Sequence, residues 1–262
     1  MPDSRNRRNN PSKQERAALQ AAARHAEQAR KQRKGLRYAV AIGLSVIFVV
    51  FGFLNTSLIG KGKKDNGTTV TTQQGAPKCP PAKGSSQVVT YFKAAPGACV
   101  DKNKIYDAVI ETTAGNLSVE IYPGRAYNAA NNFIFLARYH FYDGLPFHRV
   151  LKDAFAQTGD PVAPGVTGPG YEFPDDGLPA SSTQYVKGAL LFAHEAADSN
   201  GSQILFITGP NGTSLRPTFP LFGQVKKGFA VLDRINAAAS DNTNMPTIRY
   251  SIKSIEITEH KK

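Results

Sequence analysis

Tyr142-Asp-Gly-Leu-Pro-Phe-His-Arg-Val-Leu-Lys-Asp-Ala-Phe-Ala-Gln-Thr-Gly-Asp-Pro161 sets one arginine and one glutamine, Arg149 and Gln157, among aromatic and small apolar residues on a predicted strand. A segment of that kind lines a pocket. A second segment follows about forty residues on, Gly188-Ala-Leu-Leu-Phe-Ala-His-Glu-Ala-Ala-Asp-Ser-Asn-Gly-Ser-Gln-Ile-Leu-Phe-Ile-Thr208. It too joins a short apolar run to a polar turn rich in small residues.

Outward from these segments the pattern is that of a compact β-rich domain. Tyr106–Thr112 and Leu117–Tyr122 read as strands around Ala114-Gly115-Asn116, and Leu117, Val119 and Ile121 alternate with Ser118 and Glu120. That is a hairpin with one buried face. Ala126–Tyr139 switches to helical spacing, with Ala129, Phe133, Leu136 and Ala137 on one side. Pro161–Pro179 is dense in Gly and Pro and reads as a long loop. Strands are predicted at 188–192, 203–208, 221–225 and 248–258, with a short helix at 229–235. Many antiparallel strands and only two helices point to a closed barrel, which disposes of exposed sheet edges.

The chain before this domain is different in kind. Residues 1–37 carry eleven basic side chains against Asp3, Glu15 and Glu27, a net +8 of the chain's +12. The run 38–60 has no charged residue and, as a helix, is long enough to cross a hydrocarbon core of about 30 Å. Basic residues cluster on the cytoplasmic side of such segments, and those at 30–37 outweigh Lys61, Lys63 and Lys64. We read a cytoplasmic tail (1–37), a single-pass transmembrane helix (38–60) and an extracytoplasmic domain (105–262). A cleaved signal peptide and a buried core helix are the alternatives; nothing after Leu54 resembles a small-residue cleavage site. No aromatic residue is interleaved with the basic ones before Tyr38, so nucleic acid is not an expected partner.

Between anchor and domain, residues 61–104 read as a flexible linker containing a segment that a disulfide could close. Its first part is Gly, Thr, Gln, Lys and Pro, and Val88–Phe92 has strand character. Cys79 and Cys99 are the only cysteines, and in an oxidising compartment they would pair; two free thiols are the alternative.

The two central segments, in this order, resemble the paired signatures of the cyclophilin family of peptidyl-prolyl isomerases, of a bacterial, membrane-anchored type. Asn132-Phe133, Gly168-Pro-Gly-Tyr-Glu-Phe173 and the run Leu221–Ile235 also match in order, so the resemblance spans about residues 104–259. It implies an eight-stranded antiparallel closed β-barrel capped by two helices, acting on unfolded or proline-containing polypeptides, with no cofactor and no metal. A monomer is expected. Arg149 matches the family's catalytic arginine and Gln157 the glutamine that holds the substrate backbone. Phe155, Ala193, His194, Leu205, Leu215 and Phe219 match positions of the substrate-binding pocket.

This chain departs from the family's pattern at several of those positions. Ala154 and Phe155 stand where a Phe-Met pair is usual, Leu205 replaces a floor aromatic, and Ser214 replaces a rim tryptophan. Phe219 stands where histidine or tyrosine is common, and His194 where an asparagine binds substrate through its backbone. Two functions are therefore expected to compete: an isomerase, favoured by Arg149 and Gln157, and a weakly catalytic module that binds or chaperones proline-containing segments.

Overall fold

A computed structural model describes residues 77–161, 168–240 and 243–261, all within the unit Gly67–Lys262. The predicted tail (1–37), the transmembrane helix (38–60) and linker residues 61–76 lie outside the described residues. Among the described residues no helix is long and apolar enough to cross a membrane.

Eight strands form one sheet in which every ladder is antiparallel. In chain order they are β1 (Lys104–Thr112), β2 (Gly115–Ile121), β3 (Arg149–Leu151), β4 (Phe155–Thr158), β5 (Ala189–Phe192), β6 (Ile204–Ile207), β7 (Leu221–Lys227) and β8 (Ile252–Lys261). Among the described residues two α-helices accompany them, α1 (Tyr127–Arg138) and α2 (Phe229–Ala237). The spatial order β3-β4-β6-β5-β7-β2-β1-β8 leaves β3 and β8 as edges, so the predicted closed barrel is corrected: the sheet does not close. The reason is local. Where the two ends meet, only Pro146 and Ser251 form a bridge, flanked by Phe147 N donating to Tyr250 O and Ile252 N to Leu145 O, and β3 is three residues long. Beyond that point Val150 N donates to Asn244 O, in the loop before β8.

Alternation sets the inner face. Tyr106, Ala108 and Ile110 of β1, with Leu117, Val119 and Ile121 of β2, are buried, and the intervening residues are not. The aromatic rings of Phe133, Phe192 and Phe222 meet within this core, Phe222 lying 5.2 Å from Phe133 and 4.8 Å from Phe192.

Helix α1 is buried on every side from Ala129 to Arg138, not on the one stripe its sequence suggested. The covering layer is residues 77–103, expected as part of a linker. Val89 and Phe92 are buried in the main core, and Phe92 packs against Phe135 at 4.8 Å and Tyr139 at 5.2 Å. Cys79 and Cys99 are bonded, with S–S 2.07 Å. Asn131 of α1 holds the same strap, accepting from Cys99 N and donating to Gly97 O, each at 2.8 Å. The strand expected at Val88–Phe92 is absent because its N–H groups go elsewhere: Val89 N to Tyr139 O and Phe92 N to Pro169 O.

The start of α1 has no capping side chain of its own. Asp176, from the long loop, accepts from Asn128 N and Ala129 N instead. The loop can come this close because Gly177 follows it at φ +59°, where a Cβ would stand 2.3 Å from that of Ala126.

Candidate active site

The opening stretch forms two strands, not one. β3 and β4 are a hairpin turned by Lys152-Asp153-Ala154, with Asp153 at φ 57° and braced by Asn236 of α2 through bonds of 2.8 and 2.9 Å. The eight-residue spacing of Arg149 and Gln157 therefore makes them direct cross-strand partners. Registers extend the row across the sheet: Gln157 faces Leu205, Leu205 faces Leu191, and Leu191 faces Leu221. A cation and a carboxamide thus stand at one end of an apolar row.

That row belongs to a second apolar cluster, separate from the main core. It contains Ala154, Phe155, Tyr185, Ala189, Leu191, Leu205, Ile207 and Leu221, with Ala193, Leu215 and Phe219 packed against it. Phe155 lies two residues from Gln157 on β4 and so shares its face. Its ring lies under the guanidinium, with Arg149 Cζ 5.1 Å from the centroid. Arg149 is exposed and makes no ion pair or hydrogen bond among the described residues, so its donors remain available.

Gln157 Nε2 donates to Gln203 Oε1, and Gln203 Nε2 donates to Asp160 Oδ2 at 3.3 Å. Beside Arg149, the half-buried His148 has its pKa lowered by burial; Asp160 opposes this and the charge of Arg149 adds to it. Its Nδ1 is buried without a hydrogen-bond partner among the described residues. Ser214 is exposed at the end of a short 3₁₀ turn, Pro210–Ser214. Phe219 is held by its backbone: Tyr185 Oη donates to Phe219 O at 2.8 Å and accepts from Phe219 N at 3.0 Å. Burial pushes the Tyr185 phenol up to about 12, so it keeps its proton.

All the predicted pocket residues except His194 belong to the cluster or sit on its row; His194 meets it through its ring, 5.0 Å from that of Phe219. Gln203 and Tyr185 were missed. Gln203 was findable, being two residues from Leu205 on the same side of the chain. Tyr185 carried no signal, since its partner is 34 residues away. A separate cleft of about 170 Å³ lies between the strap and α1, lined by Pro96, Asn128, Asn131 and Phe173, and contains none of the predicted site residues.

Residues 108–257 match the family model described as cyclophilin type peptidyl-prolyl cis-trans isomerase/CLD. The chain belongs to that family. Peptidyl-prolyl cis-trans isomerase 10 of Caenorhabditis elegans is 34% identical over 151 residues, covering 56% of this chain and 92% of that protein. Peptidyl-prolyl cis-trans isomerase CYP18-2 of Arabidopsis thaliana is 34% identical over 156 residues, covering 58% and 94%. A crystal structure of a Cryptosporidium parvum cyclophilin type isomerase superposes with TM-score 0.53 at 25% identity, covering 59% of this chain and 98% of that one. As a cyclophilin, this chain is a peptidyl-prolyl cis-trans isomerase, and proline-containing peptides are its substrate class. The strap, residues 77–103, precedes the family match.

Proposed function

We propose that this cyclophilin is a bacterial, membrane-tethered isomerase that rotates X-Pro bonds in unfolded or secreted polypeptides outside the cytoplasmic membrane. Arg149 is its catalytic residue, Gln157, Phe155, Ala193, Leu205, Leu215 and Phe219 bind the substrate, and His194 binds it through its backbone alone. The observation that carries the reading is the Arg149 guanidinium: free of any acid among the described residues, it rests on Phe155 directly across from Gln157.

Rotation about the imide bond has a barrier near 20 kcal/mol because amide resonance must be broken. In the twisted state the prolyl nitrogen regains a lone pair. A guanidinium donating to that nitrogen stabilises the twisted state more than either planar isomer, which is the condition for catalysis. Gln157 hydrogen-bonds the substrate backbone, and the apolar cluster behind it receives the prolyl ring. No proton is transferred, so the neutral His148 is no obstacle.

The location rests on the pattern of residues 1–60, a basic tail followed by an uncharged run, and is supported by a disulfide of the kind oxidising compartments maintain. The relatives named above are eukaryotic, so the bacterial, anchored type is carried by that N-terminal pattern alone.

The test is turnover of short Ala-Pro peptides by the full-length chain. Arg149→Ala is expected to lower kcat/KM at least tenfold, or about 1.4 kcal/mol. An unchanged rate would leave the exposed Ser214 rim and the small Leu205 floor to argue for a binding module. For the location, protease added to intact cells producing the chain should remove residues 105–262; full protection would refute it.

A further inference from the structure

Accepting the proposed site, His194 has a second role that its backbone does not explain. Its side chain is 6% exposed, and Nε2 lies 2.8 Å from Thr218 O and 3.4 Å from Asp175 Oδ1. Thr218 O is an acceptor, so Nε2 carries a proton and donates it there, with the Asp175 carboxylate beside it at ion-pair distance. Asp175 is itself fixed. It accepts from Asn200 Nδ2 at 2.7 Å and from Asp198 N at 3.0 Å, and its own N donates to Asp198 Oδ1 at 2.8 Å. One imidazole therefore ties together the long loop at Asp175, the loop after β5 and the segment before β7.

Thr218 immediately precedes Phe219. With Tyr185 holding the Phe219 N–H and carbonyl, and His194 holding the carbonyl before them, the backbone on both sides of this wall residue is pinned. The two rings meet at 5.0 Å. Where the family has asparagine at the first position and a polar ring at the second, this chain carries the polar ring at 194 and a phenyl at 219. The imidazole nitrogen that faces an acceptor is directed to the protein's own backbone, not to a ligand.

We infer that the His194 side chain is a positioning residue that fixes the Phe219 wall of the proline recess through Thr218 and Asp175. A wall that holds the prolyl ring contacts planar and twisted substrate alike, so losing its position weakens binding uniformly. That raises KM and spares kcat.

The experiment measures KM and kcat on Ala-Pro peptides for the full-length chain and for His194→Gln, His194→Asn and His194→Ala, with thermal unfolding alongside. A glutamine amide reaches the position of Nε2; an asparagine amide stops short of it. KM is expected to rise about three- to tenfold in the Ala and Asn variants and to stay within about twofold of wild type in the Gln variant, with kcat within about twofold throughout. A fall in kcat at constant KM, an Ala variant equal to wild type, or a Gln variant as impaired as Ala overturns the inference. If the Ala variant does not fold, the Gln and Asn pair decides by the same comparison. Wild-type turnover that falls in Arg149→Ala upholds the proposed function whatever His194 does.

Discussion

At Arg149 a positive charge stands on the face of a phenyl ring and not beside a carboxylate. A carboxylate would satisfy the guanidinium donors before a substrate arrived, whereas the ring orients it and leaves the N–H groups outward. The same charge bears on the neighbouring His148, whose folded pKa lies below its ordinary value, chiefly through burial. Because the unfolded chain binds that proton more readily, stability is full above the unfolded value of about 6.5, falls as pH drops through it, and levels off below the folded value. Unfolding temperatures between pH 8 and 5 should therefore show a decline that is shallower in His148→Gln; equal slopes would assign the proton uptake elsewhere. Arg149 and Gln157 were named from the resemblance, but their opposition was not legible, since the stretch was read as one strand and folds as a hairpin that sets them face to face. Phe155 was legible only in part. Against the family's Phe-Met pair the aromatic stands one position later, and positions 155 and 157 alternate together on β4, so the ring shares the face of Gln157. The hydrogen bonds that hold Phe219 were not legible at all, since they join Tyr185 and His194 to residues 34 and 24 positions away.

Helix α1 shows the same division at the level of an element. Its existence followed from spacing, and the predicted span Ala126–Tyr139 exceeds the observed Tyr127–Arg138 by one residue at each end. Its cap did not follow, because no residue at the N-terminus supplies an acceptor. The carboxylate comes from Asp176, 48 residues beyond Asn128. Burial raises the Asp176 pKa, and the two helix N–H groups oppose the shift. The cost of burying this carboxylate is thus partly offset where the helix dipole favours negative charge. Asp176→Ala leaves both N–H groups without that acceptor and is expected to cost about 1 kcal/mol, a fall of about 2–4 °C in Tm. An unchanged Tm would mean that water satisfies the first turn equally well. The last strand is shorter than expected at its start for a related reason: Phe147 N and Val150 N donate to Tyr250 O and Asn244 O, in the segment before Ile252, in isolated contacts and not in a ladder.

For the folded domain as a whole, the boundary was the least legible feature. Composition placed residues 61–104 outside the domain because Gly, Pro, Lys and Thr dominate, but three apolar side chains, Val89, Phe92 and Val100, and two cysteines bind residues 77–103 to it. Phe92 supplies the contact, Asn131 the hydrogen bonds, and the Cys79–Cys99 bond closes the strap over the outer face of α1. A helix buried on every side then has a physical explanation: the strap packs on the face of α1 that the rest of the domain leaves open. In the chain-entropy account, closing a loop of 20 residues removes freedom from the unfolded state worth about 3 kcal/mol. Reduction of the full-length chain, or Cys99→Ser, should therefore lower Tm by roughly 6–12 °C for a domain of this size. Because the bond constrains the unfolded chain and Arg149 lies on β3, outside the strap, kcat on Ala-Pro peptides at 15 °C should change by less than about twofold while the protein stays folded. Equal Tm with and without reductant would show that Phe92 and Asn131 hold the strap unaided. A parallel loss of kcat would instead show that the strap acts on the site, through its backbone bond to the long loop, Phe92 N to Pro169 O.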